Sequence, residues 1–170
     1  MDVRHTSLIS TIKERCRVCY TCVRECPAKA IRIASGQAEV LGDRCIACGN
    51  CTMVCSQGAK RVHSELELVE DLLRESAPVA AIIAPAFPAE FAEIEYPYLV
   101  GMVRQLGFRY VNEVGFGADL VASKYRELLA AHPDERFIAT TCPAIVGYVE
   151  RYHPELVDNL APIVSPMIAT

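Results

Sequence analysis

No block of lysines and arginines occurs anywhere in the 170 residues, and the formal net charge is only −4. Phosphate-backbone binding needs a clustered positive field, so nucleic acid is not expected as a partner. A long apolar run is missing too. The most apolar stretch, residues 78–92, is too short to span a membrane and is interrupted by Pro85 and Pro88. The N-terminus, Met1 to Ser10, carries Asp2, Arg4 and His5 and lacks the apolar core of a secretory signal. These absences lead to the expectation of a cytoplasmic protein with no membrane span. An apolar share of 52% against 22% charged fits a compact chain rather than a disordered one. The length suggests one ordinary domain, or a small domain joined to part of a larger one.

Cysteine is abundant: there are nine. In a small secreted protein this count would suggest disulfides, and in a reducing compartment it suggests metal ligands. The spacing favours metal. Cys16, Cys19, Cys22 and Cys26 form one C-x2-C-x2-C-x3-C run. Cys45, Cys48, Cys51 and Cys55 form another, and a single constant offset carries every cysteine of the first run onto its counterpart. A strand-like stretch follows each run, at Ala30–Ile33 and Lys60–His63, so the unit is duplicated.

A cubane iron–sulfur cluster needs four converging thiolates. Three cysteines spaced by two residues can wrap one cluster, while the fourth reaches the other cluster, as in two-cluster bacterial ferredoxins. The expected ligands are Cys16, Cys19, Cys22 and Cys55 for the first [4Fe–4S] cluster. Cys45, Cys48, Cys51 and Cys26 are expected for the second. Pro27 follows the first run, whereas Ser56 stands in the matching place after the second. The competing reading is structural zinc or disulfides, which two C-x2-C pairs alone would allow. Two complete runs in register are far more specific.

Residues 6–63 resemble the bacterial-type two-cluster ferredoxins. The resemblance implies a small α+β fold with pseudo-two-fold symmetry and one-electron transfer at low potential. Arg15, Arg17, Arg24, Lys29, Arg44, Lys60 and Arg61 lie near the cysteines. They either raise the cluster potentials or form a solvated positive face that docks an acidic electron donor. The second reading is preferred.

Beyond the clusters, Ser64 and Glu67 form a capping-box pattern before an apolar stripe of Leu66, Val69, Leu72 and Leu73. The stripe reads as core or interdomain packing. Ala77-Pro78 reads as the domain boundary, giving domains 1–76 and 77–170. Strands are expected at 79–84, 108–114 and 136–141, and helices at 98–106, 118–131 and 144–152. This alternation implies a partial α/β lobe with a parallel sheet. Ligands of such sheets sit at the carboxyl ends of strands, where the pattern places Thr140-Thr141-Cys142-Pro143. Gly115-Phe116-Gly117 is not a complete dinucleotide-binding fingerprint and reads as the turn from strand to helix. Cys142 alone is compatible with a buried small apolar residue. A nucleophile would need a base, and neither His132 nor His153 has a spacing that supplies one.

Residues 78–170 resemble the first part of the catalytic domain of [FeFe] hydrogenases. The matching pieces are Ala84-Pro85-Ala86, Leu106-Gly107-Phe108, Glu113-Val114 with Ala118-Asp119-Leu120, Thr140-Thr141-Cys142-Pro143, Tyr152-His153-Pro154-Glu155-Leu156, Asn159-Leu160 and Ser165-Pro166. The resemblance implies that Cys142 ligates the [4Fe–4S] part of the H-cluster. It also implies that Thr141 occupies the position of a proton-relaying cysteine. A hydroxyl is a poorer proton relay than a thiol, and Ser123-Lys124-Tyr125 replaces the acidic stretch of the family. Both departures resemble the divergent, sensory-type branch. The family's three further ligating cysteines do not occur before Thr170. The expectation is therefore an N-terminal portion, a truncated product or half of a split protein.

The functional expectation is single-electron relay toward a hydrogenase-like site that the chain only begins, without turnover by this stretch alone. A redox-sensing module acting on a signalling domain and a stand-alone electron carrier are the alternatives. A redox protein that gives or takes electrons, or the remainder of the hydrogenase domain, would be the partner.

Overall fold

The computed structural model describes residues 8–170, so the first seven residues of the expected N-terminal domain lie outside the described residues. In chain order the first half contains β1 (Ile9–Thr11), α1 (Thr21–Arg24), β2 (Ile31–Ala34), β3 (Gln37–Val40), α2 (Asn50–Met53), β4 (Lys60–Val62) and α3 (Leu66–Arg74). Then follow β5 (Ala80–Ile83), α4 (Phe87–Glu90), α5 (Tyr96–Gln105), β6 (Tyr110–Glu113), α6 (Val114–Ala131), α7 (Pro143–Tyr152) and α8 (Pro166–Ala169). These elements form two compact units. One comprises the chain up to Ser64 with Pro143–Asp158, and the other comprises Glu65–Cys142 with Asn159–Thr170.

The sequence duplication becomes a structural one in the first unit. β1 pairs antiparallel with β4, Ile9 facing Val62, and β2 pairs antiparallel with β3, Ile31 facing Val40. The offset that carries Cys16 to Cys45 also carries α1 onto α2 and the start of β2 onto the start of β4. The core follows the same offset: Ile9, Ala30 and Cys22 are buried, as are their counterparts Ala38, Ala59 and Cys51. The halves are tied by the Asn50 side-chain amide, which donates to the Glu25 carbonyl at 2.7 Å.

α7 belongs to this first unit. Ala144, Tyr148 and Tyr152, at helical spacing, pack against its core. Tyr148 and Tyr152 stack with centroids 5.3 Å apart. The Tyr152 hydroxyl lies 2.9 Å from the carbonyls of both Ala28 and Arg44. The Arg151 guanidinium donates to the Cys45 carbonyl at 2.7 Å.

In the second unit β5 and β6 form a parallel pair, Ala80 facing Tyr110 and Ile83 facing Glu113. The parallel sheet expected from the alternation is present with two strands. Residues 136–141 do not add a third: Ile138 makes only an isolated parallel bridge to Leu160. The reason lies at Thr140, whose backbone N–H is taken by the Tyr125 hydroxyl at 3.1 Å. Its own hydroxyl reaches the Ala161 and Ile163 carbonyls at 3.1 and 2.5 Å. Beyond the two backbone bonds of Ile138, with Asn159 and Ala161, side-chain bonds take the place of a ladder.

Two further expectations are corrected. α3 starts at Leu66 with Glu65 as its N-cap, one residue later than the expected Ser64, and the Glu65 side chain makes no cap bond. The apolar stripe runs along this helix, with Leu66 and Leu72 exposed. α6 starts at Val114, which puts Gly115 and Gly117 inside its first turn rather than in a turn before it. A Cβ on Gly117 would collide with the Pro166 carbonyl oxygen and the Thr170 hydroxyl, so this glycine allows α8 to pack closely on α6.

Candidate functional site

The loops that carry the cysteines have an unusual backbone. Val18 and Tyr20 have φ of 53° and 61°, and their counterparts Ala47 and Gly49 have 55° and 76°. Lys29 and Gly58 repeat the pattern at 47° and 56°. A left-handed residue with a side chain costs about 1–2 kcal/mol, and a β-branched one is a clear outlier. Such strain is held by its surroundings and concentrates at functional sites. At Val18, Tyr20, Ala47 and Gly49 the left-handed backbone turns the chain between successive cysteines of a run.

Two cavities result. The first is partly open to solvent, and Cys16, Cys19, Cys22 and Cys55 line it. The second, also partly open, is lined by Cys45, Cys48, Cys51 and Cys26. In each, three cysteines come from one run and the fourth from the other. The remaining walls are largely apolar, including Ile33, Ala38 and Ala59 in the first and Ile9, Ile31 and Ile46 in the second.

The local hydrogen bonds are prepared for anionic sulfur. The Ala30 and Ala59 amides donate to the Cys26 and Cys55 sulfurs, both at 3.3 Å, so the duplication extends to these bonds. The Ala47 amide donates to the Cys45 sulfur at 3.4 Å. Burial pushes the Cys22 thiol up and the Cys51 thiol up to about 11. Exposed Cys19 is shifted the other way, chiefly by the Thr21 hydroxyl at 3.5 Å. An all-sulfur donor set around an apolar cavity, with amides aimed at sulfur, fits an iron–sulfur cluster.

Cys142 is exposed, between the bend at Thr141 and the start of α7. The segment leading to it is not a strand, so the expected strand-to-helix turn is a loop-to-helix turn. His132 and His153 bind Glu135 and Glu155 at 2.9 and 3.1 Å. Of the seven basic residues near the cysteines, six are exposed, but Lys60 is buried. Sequence reasoning placed it on a solvated face. It also missed α7 as a support of the first unit, although the Tyr148/Tyr152 spacing carried that signal.

The residues from 77 to 170 match the family of the iron-only hydrogenase large subunit, C-terminal domain, and residues 8–56 match a 4Fe-4S dicluster domain. The chain belongs to the iron-only hydrogenase large-subunit family, an iron–sulfur electron-transfer family. The chain is 28% identical over 141 residues to the NADP-reducing hydrogenase subunit HndD of Solidesulfovibrio fructosivorans, covering 72% of this chain and 24% of that protein. It is 24% identical over 141 residues to the cytosolic Fe-S cluster assembly factor NAR1 of Meyerozyma guilliermondii, covering 74% of this chain and 27% of that protein. A solved [FeFe]-hydrogenase structure is similar at 25% identity and a TM-score of 0.47, covering 62% of this chain and 31% of that one. The chain thus spans about a quarter of the length of these curated relatives. Among the described residues no helix is long and apolar enough to cross a membrane.

Proposed function

We propose that this chain holds two [4Fe–4S] clusters and relays single electrons toward a hydrogenase-like site to which Cys142 contributes a ligand. The observation that carries the reading is the pair of cavities, each ringed by three cysteines of one run and the fourth of the other. Each bound cluster supplies a one-electron carrier. The chain's own residues do the rest. Cys16, Cys19, Cys22 and Cys55 hold the first cluster, and Cys45, Cys48, Cys51 and Cys26 the second. The Ala30, Ala47 and Ala59 amides stabilise the charge on sulfur, and the apolar walls limit water. The exposed Arg15, Arg17, Arg24, Lys29, Arg44 and Arg61 offer an acidic redox protein a docking face in the cytoplasm. A stoichiometric dithionite titration of the anaerobically reconstituted chain tests the relay. Uptake of about two electrons per chain, one per cluster, is expected; no uptake overturns it.

Thr141 favours a second reading, in which hydrogen turnover is slow and the redox state is the output. A hydroxyl at that position is a weaker acid–base relay than a thiol. In the protein that carries the whole catalytic domain, Thr141→Cys should raise turnover. Unchanged turnover in that variant would remove Thr141 from the proton path.

A further inference from the structure

Ile31 and Lys60 are counterparts in the duplication, related by the same offset as the cysteines, and each is 6% exposed. One half of the repeat therefore buries an isoleucine where the other buries a lysine. Among the described residues Lys60 is the only charged side chain in the buried class. Its ammonium donates to the Thr11 hydroxyl at 2.6 Å and lies 3.5 Å from the Ala38 carbonyl. Both partners are neutral, and among the described residues no carboxylate pairs with it. A buried ammonium with only dipoles around it is costly, and the cost falls when an anion shares its surroundings.

The cavities supply the asymmetry. Lys60 lines the first, with Cys16, Cys19, Cys22 and Cys55, while Ile31 lines the second. A cluster held by four thiolates is anionic and gains negative charge on reduction, so a fixed cation beside it raises its potential. Low local dielectric strengthens the effect. The Lys60 charge also reaches two of the buried thiols, favouring the thiolate at Cys22 and, in the second cavity, at Cys51.

We propose that Lys60 is a buried potential-tuning residue that makes the two cluster sites unequal, raising the reduction potential of the cluster in the first cavity more than that in the second. The inference rests on the two-cluster reading above. The step involved is the gain of one electron from an external reductant, with no bond made or broken.

The test is an EPR-monitored redox titration of the reconstituted chain. Lys60→Met should make reduction of the first cluster at least tenfold less favourable, which is about 59 mV for a one-electron couple. The second should move less. Lys60→Arg, which keeps the charge, should restore the first midpoint. Ile31→Lys, the mirror change, should raise the second midpoint instead, and it decides the matter if Lys60→Met does not take up clusters. Cys48→Ala and Cys19→Ala backgrounds assign each midpoint to its cavity. Equal shifts in Lys60→Met, or an unmoved second midpoint in Ile31→Lys, would overturn the role of Lys60. A wild-type chain that takes up no iron and sulfide would instead overturn the cluster reading itself.

Discussion

Replacing Cys26 with alanine should empty the second cavity and leave the first intact, although Cys26 belongs to the first run. Its sulfur lines the second cavity with Cys45, Cys48 and Cys51, and it is 8% exposed, so no water-borne ligand readily takes its place. One missing thiolate removes a corner of a four-cysteine site. The iron content should therefore fall from about eight to about four per chain. Iron content alone does not say which cluster was lost, but a double-variant cycle does. Cys26→Ala with Cys48→Ala should hold as much iron as either single variant, because both act on one cavity. Cys26→Ala with Cys19→Ala should hold almost none. Iron and sulfide assays, with EPR of the reduced protein, read both outcomes. If the pairing is reversed, so that the Cys26/Cys19 double variant keeps about four irons, the crossed assignment is wrong.

The Tyr152 phenol has one proton for two carbonyls, so Tyr152→Phe should cost about 1 kcal/mol. In a melt this is a fall of roughly 4–8 °C for a unit of this size; an unchanged melt would show that α7 is not held through this hydroxyl. Gly117→Ala should destabilise the second unit by about 1–3 kcal/mol, because the added methyl meets the Pro166 backbone, and urea unfolding that matches wild type would contradict that packing. In the cluster-free chain, iodoacetamide should modify exposed Cys19 first and Cys51 last, since the thiolate is favoured at the first and disfavoured by burial at the second. Peptide mass spectrometry reads the order, and early labelling of Cys51 would argue against the buried site.

The ferredoxin-like half was legible because its information is periodic. The constant offset between the two cysteine runs predicted a duplicated fold, and the same offset governs helices, strands, left-handed residues and amide–sulfur bonds. Lys60 escaped the reading because charged residues near cysteines look alike in sequence. Only its register with Ile31 distinguishes it, and burial then gives that register meaning. The second half was legible in kind but not in extent. Strand β5, strand β6 and the helices between and after them follow local apolar patterns. The segment 136–141 carries a similar pattern, yet Tyr125 and Thr140 divert its hydrogen bonds, which are tertiary partners that no local pattern reports. The assignment of α7 to the first unit is likewise set by contacts far apart in sequence, from Tyr152 to Ala28 and Arg44.

The most direct test of the central claim is the iron, sulfide and zinc content of the anaerobically reconstituted chain, read together with EPR after reduction. Two clusters predict about eight irons and eight sulfides per chain, no zinc, and the signals of two interacting reduced clusters. Bound zinc without sulfide, or iron for a single cluster only, would contradict it.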